Sequence, residues 1–436
     1  MNAILGAGMT GLAAAWASGL PVYEAEAAPG GICSSYYIHP ENHLQLHIAS
    51  KDSEAYRFEI GGGHWIFGGD PVVLRFLRSL ALVKSYERRS AVYFSRAGLY
   101  VPYPIQNHLS YLGEEVAVKA LTEMTTTAPS NPLTMADWLE QHFGKTLLEL
   151  FFTPFHELYT AGLWTRIAPQ DAYKSPVDLS LAIQGAFDRA PPVGYNVSFV
   201  YPVEGLNILV QRMADRCDVH YDKQVIRVDV RHKKVEFADG TAVPYDTLIS
   251  TLPLNQVIEM AGLEVDAEPD PYTSVLVLNI GAKKGAKCPD EHWLYIPDSR
   301  SGFHRVGFYS NVDHHFLPAS SRENGDRVSI YVERAYRGSE RPSEEETKAY
   351  GGAVVHELSD WGFIEQAEVV DPTWIDVAYT WSWPGSQWKK QALKALEKHG
   401  IYQTGRYGRW QFQGIADSIW DGFVAGAANT TMGIER

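Results

Sequence analysis

Residues 3–11 read Ala-Ile-Leu-Gly-Ala-Gly-Met-Thr-Gly and place Gly6, Gly8 and Gly11 in the pattern G-x-G-x-x-G. An apolar strand precedes the glycines and an alanine-rich helix follows them. The next strand, Pro21 to Tyr23, ends at Glu24, eighteen residues after Gly6. That is close to the ~20 residues expected before a carboxylate that accepts from ribose hydroxyls. Each glycine has its own task. Gly6 permits the tight strand-to-helix turn, Gly8 lets a pyrophosphate approach the backbone, and Gly11 lets the helix lie close to the sheet. The helix N-terminus offers free N–H groups and the positive end of its dipole to the phosphates. Strand, helix, glycines and acid together predict a dinucleotide-binding unit.

The chain has 436 residues, 45% hydrophobic and 21% charged. Such a length predicts two or three structural units of ordinary globular composition. The net charge of −14 argues against non-specific binding to nucleic acid and against an anionic membrane surface. A nucleotide ligand then needs local positive charge, so individual arginines carry weight. Cys33, Cys217 and Cys288 are too far apart for a metal pattern or a disulfide framework, and no metal site is expected. The N-terminus reads as the first strand of the nucleotide fold, so no signal peptide is expected. No apolar run is long enough to span a bilayer. The expected compartment is a reducing cytoplasm, and the oligomeric state stays open.

The segment Glu24-Ala-Glu-Ala-Ala-Pro-Gly-Gly-Ile-Cys-Ser-Ser, with Gly30 and Gly31, resembles the second fingerprint of large FAD-dependent oxidoreductases. Gln224-Val225 is similar to the position flanking adenine in that superfamily. The stretch Tyr245 to Leu254 is similar to its later strand returning to the cofactor domain. The resemblance implies FAD, held by Gly6, Gly8, Gly11, Glu24, Gly30, Gly31, Gly62, Gly63, His64 and Val225, with Asp417 and Ser418 from the C-terminal return.

Periodicity sets the rest. Residues 43–60 read as paired strands, and 70–83 and 109–128 as helices. Thr134-Met-Ala-Asp137 resembles a capping box. Phe199 to Val203 reads as a strand and Leu206 to Met213 as a helix. Strands alternate through Val219–Leu252 around an Asp239-Gly240 turn. Residues 272–335 read as a sheet, and 343–360 and 385–398 as helices. The expectation is an α/β fold with a Rossmann-like FAD-binding domain, a helical insertion and an antiparallel-sheet substrate domain. The cofactor domain is assembled from 1–69, 190–260 and 400–436. The mostly helical insertion is 70–189, and the sheet-containing unit is 261–399.

Five further segments resemble the UDP-galactopyranose mutase family, its eukaryotic-type branch especially, within the FAD-dependent amine oxidase and protoporphyrinogen oxidase-like superfamily. They are Gly61-Gly-Gly-His-Trp-Ile-Phe67, Val101-Pro-Tyr-Pro-Ile-Gln-Asn107 and Leu163-Trp-Thr-Arg166. The others are Trp293-Leu-Tyr-Ile-Pro297 (with Phe303-His-Arg305 and Tyr309-Ser-Asn311) and Gly405-Arg-Tyr-Gly-Arg-Trp410. The resemblance implies that reduced FAD attacks the anomeric carbon of a nucleotide sugar through N5. Pyranose and furanose forms then interconvert without net redox change. NAD(P)H is a candidate source of the electrons. The protein would position the sugar and stabilise the leaving diphosphate. Arg305, Arg166 and Arg406 suit that task, because a guanidinium grips phosphate oxygens bidentately. Ordinary surface ion pairs are the plain alternative for each. His64 is expected beside the flavin, although a hydrogen-bonded structural histidine would look the same. Tyr103, Gln106 and Asn107 are candidates for holding the base, and Tyr295 for the diphosphate.

Several positions depart from that family's pattern. Val312, Phe412 and Trp383 stand where it has tyrosines, and Phe155-His156 where Tyr-Asn is common; Trp383 and Phe412 are still expected among the substrate-binding residues. Each lost hydroxyl is worth ~0.5–1.5 kcal/mol. The nucleotide is therefore held differently, or the ligand is not UDP-galactose, and a true FAD oxidase or dehydrogenase is the alternative function.

Overall fold

The computed structural model describes residues 2–50, 52–126, 131–170, 177–188 and 197–432. Three separated parts of the chain build one parallel sheet. Its strand order is Val219–His220, Val22–Tyr23, Asn2–Leu5, Thr247–Ser250 and Ile401–Gln403, and every neighbouring pair is parallel. The helix Met9–Ser18 follows the first strand and stops at Gly19, whose φ of 69° is the usual left-handed cap. It packs on the helix Ile415–Met432 through small residues. Side chains at Gly422 or Gly426 would collide with the carbonyls of Thr10 and Ala14, so two helices distant in sequence approach at backbone distance.

The second layer is a seven-stranded sheet. It runs Ile364–Thr380, Tyr272–Lys284, Arg327–Arg337, Arg305–Phe308, Trp293–Tyr295, Ser90–Phe94 and Leu99–Pro102. Strand alternation divides its two faces. Val275, Val277 and Tyr331 turn toward the core shared with the cofactor unit. Leu276, Leu278, Val328, Ile330 and Val332 turn the other way, with Tyr350, Val354 and Leu358 of the helix Glu344–Asp360. Each such buried aliphatic side chain contributes about 1.5–3 kcal/mol.

Two features differ from the sequence expectation. The stretch Val83–Pro102 lies inside the expected helical insertion, yet it forms three strands, Val83–Glu87, Ser90–Phe94 and Leu99–Pro102. The last two join the large sheet, because Trp293–Tyr295 pairs in parallel with Ser90–Val92. Ile364–Thr380, to which the sequence reading assigns no element inside the sheet-containing unit, contains Pro372 and is an edge strand, where a proline lacking its N–H is tolerated.

The remaining insertion is mostly helical among its described residues, and its capping box is present. The Asp137 N–H donates to Thr134 Oγ1 and the Thr134 N–H to Asp137 Oδ2, both at 3.1 Å. They open the helix Met135–Leu147, which runs into a π-helical turn at Leu148–Phe152. Among the described residues, no helix is long and apolar enough to cross a membrane.

Candidate functional site

A single cavity of about 690 Å³ runs from the glycines of the first turn to the inner face of the large sheet and the helical insertion. At one end lies the cradle expected from the opening motif. Gly6 has φ +94°, and a side chain there would collide with Thr251 Oγ1. A side chain at Gly11 would drive into the Gly6 carbonyl, so this glycine sets helix-to-strand packing and does not line the cavity. Gly8 is different. Its φ of −72° suits any residue, and the nearest atom to an added Cβ is Gly30 O at 4.0 Å. The space in front of it is the cavity itself. Gly8 bridges to Gly30, which brings the second glycine pair, Gly30 (φ +114°) and Gly31 (φ +54°), alongside the first.

Glu24 faces the same space. Its Oε2 accepts from the Ala7 N–H at 2.6 Å and its Oε1 from the Glu26 N–H at 3.0 Å. Burial raises its pKa, and these backbone donors oppose the rise. Each oxygen keeps a lone pair for a ribose hydroxyl. Asp417 and Ser418 line the cavity from the first turn of Ile415–Met432. Val225 is half-buried at the start of its own strand. It is tied to this end because the Lys223 N–H donates to Glu24 O at 2.7 Å, but it does not border the cavity. An open backbone at Gly8 beside a buried carboxylate fits the adenosine and pyrophosphate end of FAD.

The glycine–histidine loop lies midway. The expectation gave its glycines to close cofactor approach, whereas the structure gives part of them to packing. A Cβ at Gly62 (φ +78°) would sit 2.8 Å from Glu333 Oε1, and one at Gly63 would strike the Tyr331 hydroxyl. The loop is thus pressed against the strand Arg327–Arg337. Gly61, Gly63 and His64 line the cavity, and Gly62 faces away. His64 Nδ1 lies 3.4 Å from Gly62 O. Burial, aided by Arg406, lowers its pKa to about 4, so the ring is neutral near pH 7.

At the far end Arg305 and Tyr295 sit opposite each other on neighbouring strands. The Tyr295 ring is 4.5 Å from that of Tyr103 and edge-on to Phe155 at 5.5 Å. Arg88 Nη2 donates to Tyr103 O at 3.1 Å. Arg406 Nη2 donates to Ala378 O at 2.7 Å, with its guanidinium 4.6 Å from the centre of the Phe412 ring. Phe412 therefore keeps an aromatic platform where the resembled family has a tyrosine. Arg305 Nη2 donates to Glu333 Oε1. Burial disfavours the charge on Glu333, but Arg305 and then His304 outweigh it and hold the carboxyl at about 2. Arg305 is correspondingly held well above the usual guanidinium range despite burial.

Other expected ligand contacts do not reach the cavity. Gln106 and Asn107 are 1% and 0% exposed. They lie under the helix Leu179–Phe187, whose Gly185 rests on the Asn107 carbonyl. Arg166 is exposed, with its guanidinium 5.0 Å from the Trp383 ring centre. Trp383 Nε1 is itself engaged by Pro269 O at 3.0 Å. Neither residue lines the cavity. Val312 is buried in the core.

Sequence reading missed Tyr331, Glu333, His304, Tyr159, Tyr379 and the pair Phe151–Phe152, all of which line the cavity. Tyr331 and Glu333 had a signal. They stand at period two on the face opposite Val328, Ile330 and Val332, and a glutamate on a buried strand face is unusual. The two phenylalanines had none, because both reach the cavity only through a π-helical turn.

This is the site of a two-layer flavoprotein, with a dinucleotide cradle opening into a chamber of aromatic and basic side chains. The family model for flavin containing amine oxidoreductases matches residues 9–426, and the chain belongs to that family. Family and cradle together support FAD as its cofactor. Among solved structures, a reduced UDP-galactopyranose mutase is similar with a TM-score of 0.83 at 22% identity, over 99% of this chain and 95% of that one. A protoporphyrinogen oxidase candidate from Exiguobacterium sp. 255-15 has a TM-score of 0.70 at 14% identity, over 99% and 98%. A putrescine oxidase bound to putrescine has 0.55 at 17%, over 100% and 99%. At these identities the likeness is one of fold.

Proposed function

We propose that this protein is an FAD-dependent mutase that interconverts the pyranose and furanose forms of a nucleotide sugar. The observation that carries this reading is the charge of the chamber. Arg88, Arg305 and Arg406 line it, against Glu333 as the one carboxylate among the described residues at that end. Arginines at a buried wall suit a phosphorylated ligand and oppose the cationic amine that an amine oxidase takes. Reduced FAD, when bound, would supply a nucleophilic N5. The chain's own residues would do the rest. Arg305 and Arg406 grip the diphosphate, Tyr295 and Tyr103 orient it, and neutral His64 avoids placing a further charge beside the flavin. The aromatic wall keeps water away. Of the four positions that lack the resembled family's tyrosine, Phe155 and Phe412 border the cavity and Val312 and Trp383 do not, so the deficit in diphosphate binding is nearer two hydrogen bonds, ~1–3 kcal/mol, than four. NAD(P)H is the proposed electron source.

A second reading has its own support. Phe151, Phe152, Phe155, Trp138, Met135 and Leu139 give the chamber an apolar wall, which suits an FAD oxidase acting on a large flat acid. One experiment separates the two. Dithionite-reduced holoenzyme is incubated with a panel of nucleotide sugars. A furanose product formed without net consumption of reductant is the expected result. Anaerobic bleaching of oxidised flavin by a substrate, with no ring isomerisation in the panel, overturns it in favour of the oxidase.

A further inference from the structure

Arg305 and Glu333 are direct cross-strand partners on antiparallel strands. Arg305 therefore meets a carboxylate before it meets any ligand, with Nη2 donating to Glu333 Oε1. The carboxylate itself has no room to move. Glu333 is 2% exposed. His304 Nε2 lies 3.6 Å from its Oε2 on one side, and Gly62 on the other comes so close that an added Cβ would be 2.8 Å from Oε1. Arg305 has the longer and freer side chain, and its buried Nε has no hydrogen-bond partner among the described residues. The pair thus consists of a fixed anion and an arginine that faces the cavity with donors to spare.

We propose that Glu333 determines ligand specificity by competing with the incoming anion for Arg305, so that small, weakly charged anions are turned away and a diphosphate is admitted. An orthophosphate must displace a carboxylate already bonded in a site screened from water, where removing one partner of a charge pair is costly. A diphosphate brings more charge and more oxygens, and can engage Arg305 while bridging to a second guanidinium such as Arg406. This inference rests on the anionic-ligand reading above and names Glu333 as the residue that sets its selectivity.

The test uses oxidised, FAD-loaded protein, with inorganic phosphate and pyrophosphate as probes. Binding is read from flavin absorbance and from the fluorescence of Trp138 and Trp381, which line the cavity. The wild type is expected to bind pyrophosphate far better than phosphate. In Glu333→Gln the charge is gone and the shape kept. Phosphate affinity should rise about tenfold or more, pyrophosphate less, and the ratio between them should fall. If Glu333→Gln does not fold, Glu333→Asp provides the contrast, since its shorter carboxylate retreats from Arg305 and should shift the ratio in the same direction by less. A flavin-loaded variant with an unchanged ratio, or with weakened binding of both anions, overturns the inference and leaves the anion site standing. A wild type that binds neither probe overturns the anion site itself, and the inference with it.

Discussion

Two glycines of the opening motif should fail in opposite ways. At Gly11 an added methyl would lie well inside contact with the Gly6 carbonyl, and a backbone oxygen cannot swing aside. The helix Met9–Ser18 would have to move off the sheet. Overpacking of this kind costs about 1–3 kcal/mol, only partly offset by the ~1 kcal/mol that alanine gains over glycine inside a helix. At Gly8 the backbone already suits any residue and the added atoms enter open cavity. Gly8→Val should cost the apoprotein no more than ~1 kcal/mol, the loss of a glycine N-cap, but block the approach of a pyrophosphate. The assay is thermal unfolding of apoprotein with and without FAD. For wild type, FAD at a hundred times its Kd adds about 2.7 kcal/mol. Gly11→Ala should melt low without FAD. Gly8→Val should melt near wild type and lose the FAD-dependent shift. If Gly8→Val apoprotein melts as low as Gly11→Ala, the open space is not there. If it retains the full shift, the dinucleotide does not lie across Gly8.

Acid should destabilise the fold through His64. Its pKa falls from the ordinary 6.5 to about 4 on folding, so the unfolded chain binds the proton first, and stability declines as pH drops from about 6.5 toward 4. His64→Asn should flatten that slope in urea titrations between these limits. Arg166→Ala should change nucleotide-sugar affinity by less than ~0.5 kcal/mol, because the exposed arginine rests its guanidinium on a half-buried indole outside the cavity. A tenfold loss in calorimetric titration would return Arg166 to the ligand. Thr134→Ala should cost ~0.5–2 kcal/mol of stability through the capping box. It should also weaken ligand more than FAD, because that helix carries Met135, Trp138 and Leu139 into the ligand end of the cavity.

What could be read from the chain follows from how locally each feature is encoded. The cofactor cradle was legible because its whole logic lies within about thirty residues. Gly6, Gly8, Glu24, Gly30 and Gly31 meet through one strand–helix–strand unit, and each has a backbone reason to be what it is. The capping box at Thr134 was legible for the same reason. The ligand end was not, because it is made by register. Arg305 was visible in a motif, but its meaning depends on Glu333, twenty-eight residues away, and on Gly62, which a third segment presses against that carboxylate. Arg166, Gln106 and Asn107 fail for the converse reason. A motif fixes residue identity at a position, and packing decides which way it faces. Trp383 captures the first of these, and the helix Leu179–Phe187 roofs the other two. The arginine and tyrosines that a family pattern supplies thus specify the proposed anion site only in outline. The selectivity proposed for it rests on a carboxylate that no linear motif contains, placed where two strands and a glycine loop leave it no other direction to point.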